Sequence, residues 1–363
     1  MKNKKPTSID VARAAGVSQS TVSMILNGKQ LSSFTDETIR KVMDAAVQLG
    51  YDKVRRERAP VQGKTVAIFC PVLSNPYYSG LVQAIEQAAY AAGFRTVIHT
   101  TYRNPDIEMN HLLGLGDTVA GVIFTHIPLH SKMVETLNRQ IPVVVIGDRN
   151  DMIDVDTVEV NSYRSGVAVA EHLTALGHRH IAFLSTSLNS ENTIRVRRME
   201  GVRDTVKKLG KGYSLLVKAV DVPRSADIDD PDIEHKVGYR LAQECLQVQK
   251  LTAMVCINDM VAFGAMDALL EAGKKIPQDY SICGFDNIFP SHMTAVSLTS
   301  IENHMLLKGK NAFDMLCRRI NQIGTPAGAD VSLTRVEYPP KLVVRDSTGP
   351  VRKDSAEQQD LAT

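Results

Sequence analysis

The sequence predicts a small all-α head carrying a helix-turn-helix, joined to a larger α/β core of two lobes built on parallel sheets. Three observations point there. Residues 7–27 read as two short helices hinged at Gly16. From Lys64 onward, short apolar runs alternate with amphipathic helical patterns, the signature of parallel strands covered on both faces. Charge is also unevenly placed: the 363 residues sum to +2, but residues 1–62 hold 11 Lys/Arg against 6 Asp/Glu and the rest holds 31 against 34. A basic head on a slightly acidic body is what a phosphate-binding head would show.

The head begins with Thr7 as a cap, and Asp10, three residues on, suits the positive end of a first helix. Val11, Ala12 and Ala15 give that helix one apolar face. Gly16 supplies the sharp break, and Ser18 caps the second helix. Val22, Ile25 and Leu26 recur at helical spacing and turn inward, leaving Gln19, Ser20, Ser23 and Met24 outward with Thr21 on the flank. Small polar groups at the first turn of such a helix suit a DNA major groove. An ordinary helical hairpin would show the same two helices. A third helix is expected over 35–49, with Ile39, Val42, Met43, Ala46 and Leu49 as its stripe and Gly50 as its stop.

Residues 52–63 change character: a charged run ends in Ala59-Pro60-Val61-Gln62-Gly63, which breaks regular structure. In the core, strands are expected over 65–70, 94–99, 119–125 and 141–147, with a helix over 77–92. A second set starts near Asn161, with helices over 162–176, 193–209, 234–247 and 260–272 and strands over 180–185, 214–220, 253–257 and 280–284. Two such units in tandem suggest two similar lobes. The layout is a head over 1–51, a linker over 52–63, a core over 64–345 and a disordered polar tail over 346–363.

The five cysteines, Cys70, Cys245, Cys256, Cys283 and Cys317, form no C-x-x-C pair and have no His at zinc spacing, so buried free thiols are expected. The start is polar after Met1 and no run reaches membrane-span length, which points to the cytoplasm. No Walker loop, G-x-S-x-G or H-E-x-x-H is present, so neither catalysis nor a cofactor or metal is expected.

Ligands on parallel sheets bind at the carboxyl ends of strands, so the residues there are the candidate site. They are Ser74-Asn75-Pro76-Tyr77, Asp148-Arg149, Asn258-Asp259 and Phe285-Asp286-Asn287, with Arg195, Arg197 and Arg198 on a second-lobe helix. Carboxylates take hydroxyl protons, Arg donates a rigid fork and a tyrosine can stack, a set that suits a polyhydroxylated ligand. Asn258 and Asp259 serve equally well as caps of the following helix, whereas Asp286 precedes no obvious helix.

The head carries Asp10-Val11-Ala12, Ala15-Gly16-Val17-Ser18, Thr21-Val22-Ser23 and Leu26-Asn27-Gly28. The body carries Asn75-Pro76-Tyr77-Tyr78, Leu176-Gly177-His178-Arg179, Arg198-Met199-Glu200-Gly201, Asn258-Asp259, Gly264-Ala265 and Gly284-Phe285-Asp286-Asn287. To about residue 345 the chain thereby resembles the LacI/GalR family of bacterial transcription regulators. The resemblance implies a homodimeric repressor, each protomer having a DNA-binding head and a core similar to periplasmic sugar-binding proteins. A sugar or related effector in the cleft would shift the lobes and so control binding to a near-palindromic operator. By motif position, Asp286, Arg198, Asp148 and Asn258 would line the effector cleft, with Ser74 and Tyr77 on the first-lobe wall. Ser18, Thr21, Ser23 and Asn27 would hold phosphates, Gln19, Ser20 and Met24 would face bases, and Thr7 would join the DNA-binding face.

Three departures stand out. Met24 replaces the Arg that the family uses to read guanine, which leaves only apolar contact there. Ala59-Pro60 falls where the family has a Leu that wedges into the minor groove, and Pro60 would stop a hinge helix. Residues 222–233, rich in Asp and Pro, are longer than the family's loop and lie near the cleft mouth. A cytoplasmic sugar-binding receptor without a DNA role would fit the body alone, but the basic head argues against it.

Overall fold

Thr7 closes a reciprocal capping box with Asp10, whose amide donates to Thr7 Oγ1 at 3.4 Å and whose carboxylate accepts from the Thr7 amide at 2.7 Å. Helix α1 (Ser8–Ala15) follows and ends at Gly16 in the left-handed region, φ 68°. The turn leads into α2 (Gln19–Leu26), where the Thr21 amide donates to Ser18 Oγ at 3.0 Å. Helix α3 (Asp36–Gln48) completes the head. Val11, Ala12, Ala15, Val22, Ile25, Ile39, Val42 and Ala45 form its core. Leu49, expected in the α3 stripe, lies past the helix end and is 39% exposed, while Ala45 packs inward. The computed structural model describes residues 6–26, 33–49, 51, 64–116, 119–148, 153–189, 193–223, 226–322 and 332–351. Asn27, Arg149, the linker 52–63 with Pro60, and residues 352–363 lie outside the described residues.

The first lobe runs β1 (Thr65–Cys70), α4 (Pro76–Ala91), β2 (Arg95–Thr100), α5 (Pro105–Leu113), β3 (Val119–Phe124), α6 (Ser131–Asn138), β4 (Val143–Ile146) and β5 (Asp156–Val160). The second runs α7 (Ser162–Ala175), β6 (His180–Thr186), α8 (Thr193–Lys208), β7 (Ser214–Val220), a short α9 (Ala226–Asp229) and α10 (Ile233–Cys245). It continues through β8 (Ala253–Cys256), α11 (Asp259–Glu271), β9 (Ser281–Asp286) and β10 (Thr299–Glu302). The two sheets repeat one order, β2-β1-β3-β4-β5 and β7-β6-β8-β9-β10, all parallel. In each, the order reverses beside the first strand, which opens a crevice at the strand ends.

The lobes are not simply in tandem, as the sequence suggested. Helix α12 (Met305–Gln322) leaves β10 of the second lobe yet packs its Ala312, Phe313, Met315 and Leu316 into the first-lobe core. Strand β11 (Arg335–Tyr338) then pairs with β5, and β12 (Lys341–Val343) returns antiparallel to β10. The chain therefore crosses between lobes three times, after β5, β10 and β11. Residues 346–351, expected in the tail, belong to the core. Ser347 is buried, accepts from the Thr299 amide at 2.8 Å and donates to the Ile282 carbonyl at 2.6 Å, and the Val351 amide donates to the Leu176 carbonyl at 3.0 Å. These bonds satisfy polar groups at the starts of β9 and β10 and at the end of α7 that would otherwise be left open.

Two glycine contacts fix α8 on α7. A Cβ on Gly166 would lie 2.1 Å from the Arg198 carbonyl, and one on Gly201 would lie 2.1 Å from the Tyr163 carbonyl. The helices touch backbone to backbone, which only glycine permits. The five cysteines are free and all but the half-buried Cys317 are buried. Among the described residues no helix is long and apolar enough to cross a membrane.

Candidate functional site

The first turn of α2 presents Ser18, Gln19 and Ser20 to solvent, with Ser23 exposed one turn on and Thr21 half-buried at the flank. Ser18 Oγ lies 2.7 Å from Ser20 Oγ and 2.8 Å from Thr21 Oγ1, a hydroxyl cluster at the N-terminal end of the helix. Gln19 Nε2 donates to Ser8 Oγ at 3.1 Å and ties α2 to α1. Thr7 is exposed but its hydroxyl is engaged with Asp10. Met24 is half-buried, one turn behind Ser20.

The second site lies between the lobes. Asp286, at the end of β9, is 6% exposed with φ 108°, a backbone angle that costs energy for any residue but glycine. Its Oδ1 accepts from Asn303 Nδ2 at 2.8 Å and from Arg198 Nη2 at 3.3 Å. Arg198 also donates through Nη1 to the Ile257 carbonyl at 2.8 Å, and its guanidinium lies over the Phe285 ring at 4.6 Å. Its Nε is buried with no hydrogen-bond partner among the described residues. Burial pushes the Asp286 carboxyl up, opposed first by Arg198 and then by Asn303 and Lys308.

Lys308 of α12 is 3% exposed and reaches into the same cluster. Its Nζ donates to Asn303 Oδ1 at 2.7 Å and to Tyr77 Oη at 2.8 Å, and sits 4.9 Å from the Tyr77 ring centre. Burial pushes its ammonium down to about 7. Tyr77, Lys308, Asn303, Asp286 and Arg198 thus form one chain of polar contacts from α4 of the first lobe to α8 of the second. A separate latch closes the mouth: Asn75 Nδ2 donates to Glu234 Oε2 at 2.8 Å, and Arg195 Nη2 to Glu234 Oε1 at 3.4 Å. The space inside the mouth, bounded by Ser74, Arg103, Asp230, Pro231 and Met260, is about 10 Å³, room for about one water. The contacts from Asn75 to Glu234 and from Lys308 to Asn303 join the two lobes across this space, and a larger guest requires them to part.

Other expected residues take narrower places. Asp148, two residues past the end of β4, accepts from the Ser162 hydroxyl at 2.9 Å and the Ser162 amide at 3.3 Å, so it binds the start of α7 across the lobe junction. Asn258 caps α11, its Oδ1 accepting from the Val261 amide at 3.0 Å. Asp259 is wholly buried and accepts from Ser300 Oγ, Ser291 Oγ and the Ile288 amide, which holds the turn after Asp286 in shape. A short 3₁₀ turn, Phe289–His292, does follow Asp286, but Asp286 does not cap it. Ser74 is exposed at the mouth. Of the stretch 222–233, Asp230, Pro231 and Ile233 line the mouth, and residues 224–225 lie outside the described residues.

Sequence reasoning missed Lys308, Asn303 and Glu234. The signal for Lys308 was a lysine in register with Met305, Gly309 and Ala312 on the apolar stripe of an unassigned helix.

Comparison with known proteins agrees with this architecture. Residues 9–53 match the family model described as bacterial regulatory proteins, lacI family, and residues 63–340 match periplasmic binding proteins and sugar binding domain of LacI family. The chain is 30% identical over 354 residues to the HTH-type transcriptional regulator DegA of Bacillus subtilis, covering 96% of this chain and 99% of that one. It is 28% identical to the HTH-type transcriptional repressor PurR of Mannheimia succiniciproducens, over 93% of this chain and 97% of the relative. The solved transcriptional regulator CelR–cellobiose complex shares the fold, with a TM-score of 0.67, 23% identity and coverage of 94% and 99%. Helix-turn-helix head and two-lobed core, matched in order along nearly the whole chain, make this protein a member of the LacI family of bacterial transcription regulators.

Proposed function

We propose that this regulator is a homodimeric repressor that reads a near-palindromic operator through α2 and is controlled by a polyhydroxylated effector held between its lobes. One observation carries the reading. Arg198, Asp286 and Asn303 converge, buried, at the carboxyl ends of the second-lobe strands, facing Tyr77 and Lys308 of the first lobe. Such a set pairs hydroxyl groups in a buried cleft, and one ligand spanning it touches both lobes. Ligand binding then favours one lobe arrangement over another, which is the requirement for control at a distance. The sugar bound by the CelR relative supports the ligand class.

On DNA, Ser18, Thr21, Ser23 and Asn27 hold phosphates with Thr7 at the edge of the face, and Gln19, Ser20 and Met24 face the bases. Around the effector, Asp286 and Arg198 are the central pair. Tyr77 and Ser74 form the first-lobe wall, and Asp148 and Asn258 shape the junction behind it.

A gel shift with DNA upstream of the protein's own gene tests the DNA half. Retardation that weakens by orders of magnitude from low to moderate salt is expected, because several phosphates are neutralised per dimer. A salt-independent interaction would count against the head's assignment. A thermal-shift screen of sugars and sugar derivatives, repeated on Asp286→Asn, tests the cleft.

A further inference from the structure

We propose that the effector is a polyhydroxy acid whose carboxylate seats on Lys308 and Tyr77. The inference rests on the cleft being the effector site and names the chemical class of its occupant.

Lys308 is a buried cation with no carboxylate in contact. Among the described residues its ammonium meets only two neutral oxygens, Asn303 Oδ1 and Tyr77 Oη. The charged groups around it come from every element packed on the cluster, and each is already engaged. Asp286 on β9 accepts from Arg198 of α8 and from Asn303. Asp148 after β4 accepts from Ser162. Glu302 on β10 accepts from Asn287 Nδ2 at 2.6 Å and from the His304 amide at 2.8 Å. An ammonium placed in a protein interior without a counter-ion is costly, and the cost is offset when a ligand supplies the opposite charge.

The donor count selects a carboxylate. Lys308 has three N–H groups and the protein accepts two, so one is left for a ligand. Tyr77 Oη accepts from Lys308, which leaves its own O–H to donate. One N–H and one O–H on atoms 2.8 Å apart match the two oxygens of a single carboxylate. A phosphate dianion calls for more donors than this pair offers. Beside that end, Asp286 Oδ2 and Arg198 Nε, which has no partner among the described residues, are left for hydroxyl groups. Burial, which holds the free lysine down to about 7, also means that an arriving carboxylate draws a proton onto it in mildly alkaline solution.

The test uses the full-length protein and a panel of aldonates and uronates beside their neutral aldoses and the corresponding sugar phosphates. Melting temperature and calorimetric titration are the readouts. At least one acid is expected to bind, with its aldose at least tenfold weaker and the phosphate showing no binding. Lys308→Met is expected to melt at or above the parent without ligand and to bind that acid 10- to 100-fold more weakly. At pH 8, titrations in buffers of different ionisation enthalpy are expected to show proton uptake on binding. A panel in which no acid binds, an aldose or phosphate that binds as tightly as the acid, or full acid affinity in Lys308→Met overturns the proposal. A neutral ligand lost in Asp286→Asn would still leave the cleft as the effector site, whereas a ligand indifferent to Asp286→Asn would remove that reading itself.

Discussion

Replacing Asp286 by alanine removes one carboxylate oxygen that receives both Arg198 Nη2 and Asn303 Nδ2. The Arg198 side chain is 11% exposed, so its charge stays buried when its partner is lost. Breaking a buried pair from one side costs about 3–5 kcal/mol. Arg198 keeps its bond to the Ile257 carbonyl and its place over Phe285, which puts the expected loss at the lower end, about 3 kcal/mol. Asp286→Asn keeps an acceptor in place and suits the positive φ, so its loss should be smaller. Urea unfolding of the ligand-free proteins at pH 7 reads both, as a lowered midpoint at unchanged slope. A cycle with Arg198→Met isolates the pair from the surrounding packing. If Asp286→Ala lost under about 1 kcal/mol, the pair would not hold the second-lobe wall, and the geometry of the cleft would need another support.

Three other outcomes are expected. His178 is enclosed by Thr252 Oγ1, Ser281 Oγ and the Gly349 carbonyl, and burial pushes its imidazole down to about 4 from 6.5. The unfolded chain therefore takes up the proton first. Stability should be intact above about pH 6.5 and fall by about 3 kcal/mol as pH drops to 4, a loss that urea unfolding would find reduced in His178→Gln. Gly201→Ala places a Cβ against the Tyr163 carbonyl, so α8 must move and carry Arg198 with it. A loss of about 1–3 kcal/mol with weakened effector binding is expected, and an unchanged melting temperature would refute the close contact. Met24→Arg should add a guanine preference in each half-site, worth about 1–3 kcal/mol, in operators selected from random DNA. Identical consensus sites for both proteins would show that residue 24 does not face the bases.

Local chemistry made the head and most strands legible. Thr7, Asp10, Gly16 and Ser18 carry capping and turn preferences that act within four residues, and the structure uses each of them so. Strands β1 and β7 match their expected spans, because an apolar run bounded by polar turns marks a short strand whether it is buried, as β1 is, or half-exposed at the sheet edge, as β7 is. Strand β9 runs two residues further than expected, since Asp286 reads as a strand stop while buried partners hold it in the ladder.

What stayed hidden depends on contacts far apart in sequence. Nothing in the periodicity of α12 says that it packs on the first lobe after a strand of the second. Lys308 reads as a solvent lysine until its helix is placed, and Ser347 reads as tail until the starts of β9 and β10 are seen to need its hydrogen bonds. Asn258 shows the converse: its motif marked it for the effector, and its side-chain oxygen serves the cap that its position equally suited.

The central claim is that a ligand between the lobes controls the head. It is tested most directly by titrating operator DNA with the full-length protein and with Asp286→Asn, each with and without the effector found by thermal shift. A change of at least fivefold in operator affinity is expected for the parent, with no change for Asp286→Asn and equal ligand-free affinities for the two. A full effector response in Asp286→Asn would contradict the claim and place the effector outside the cleft.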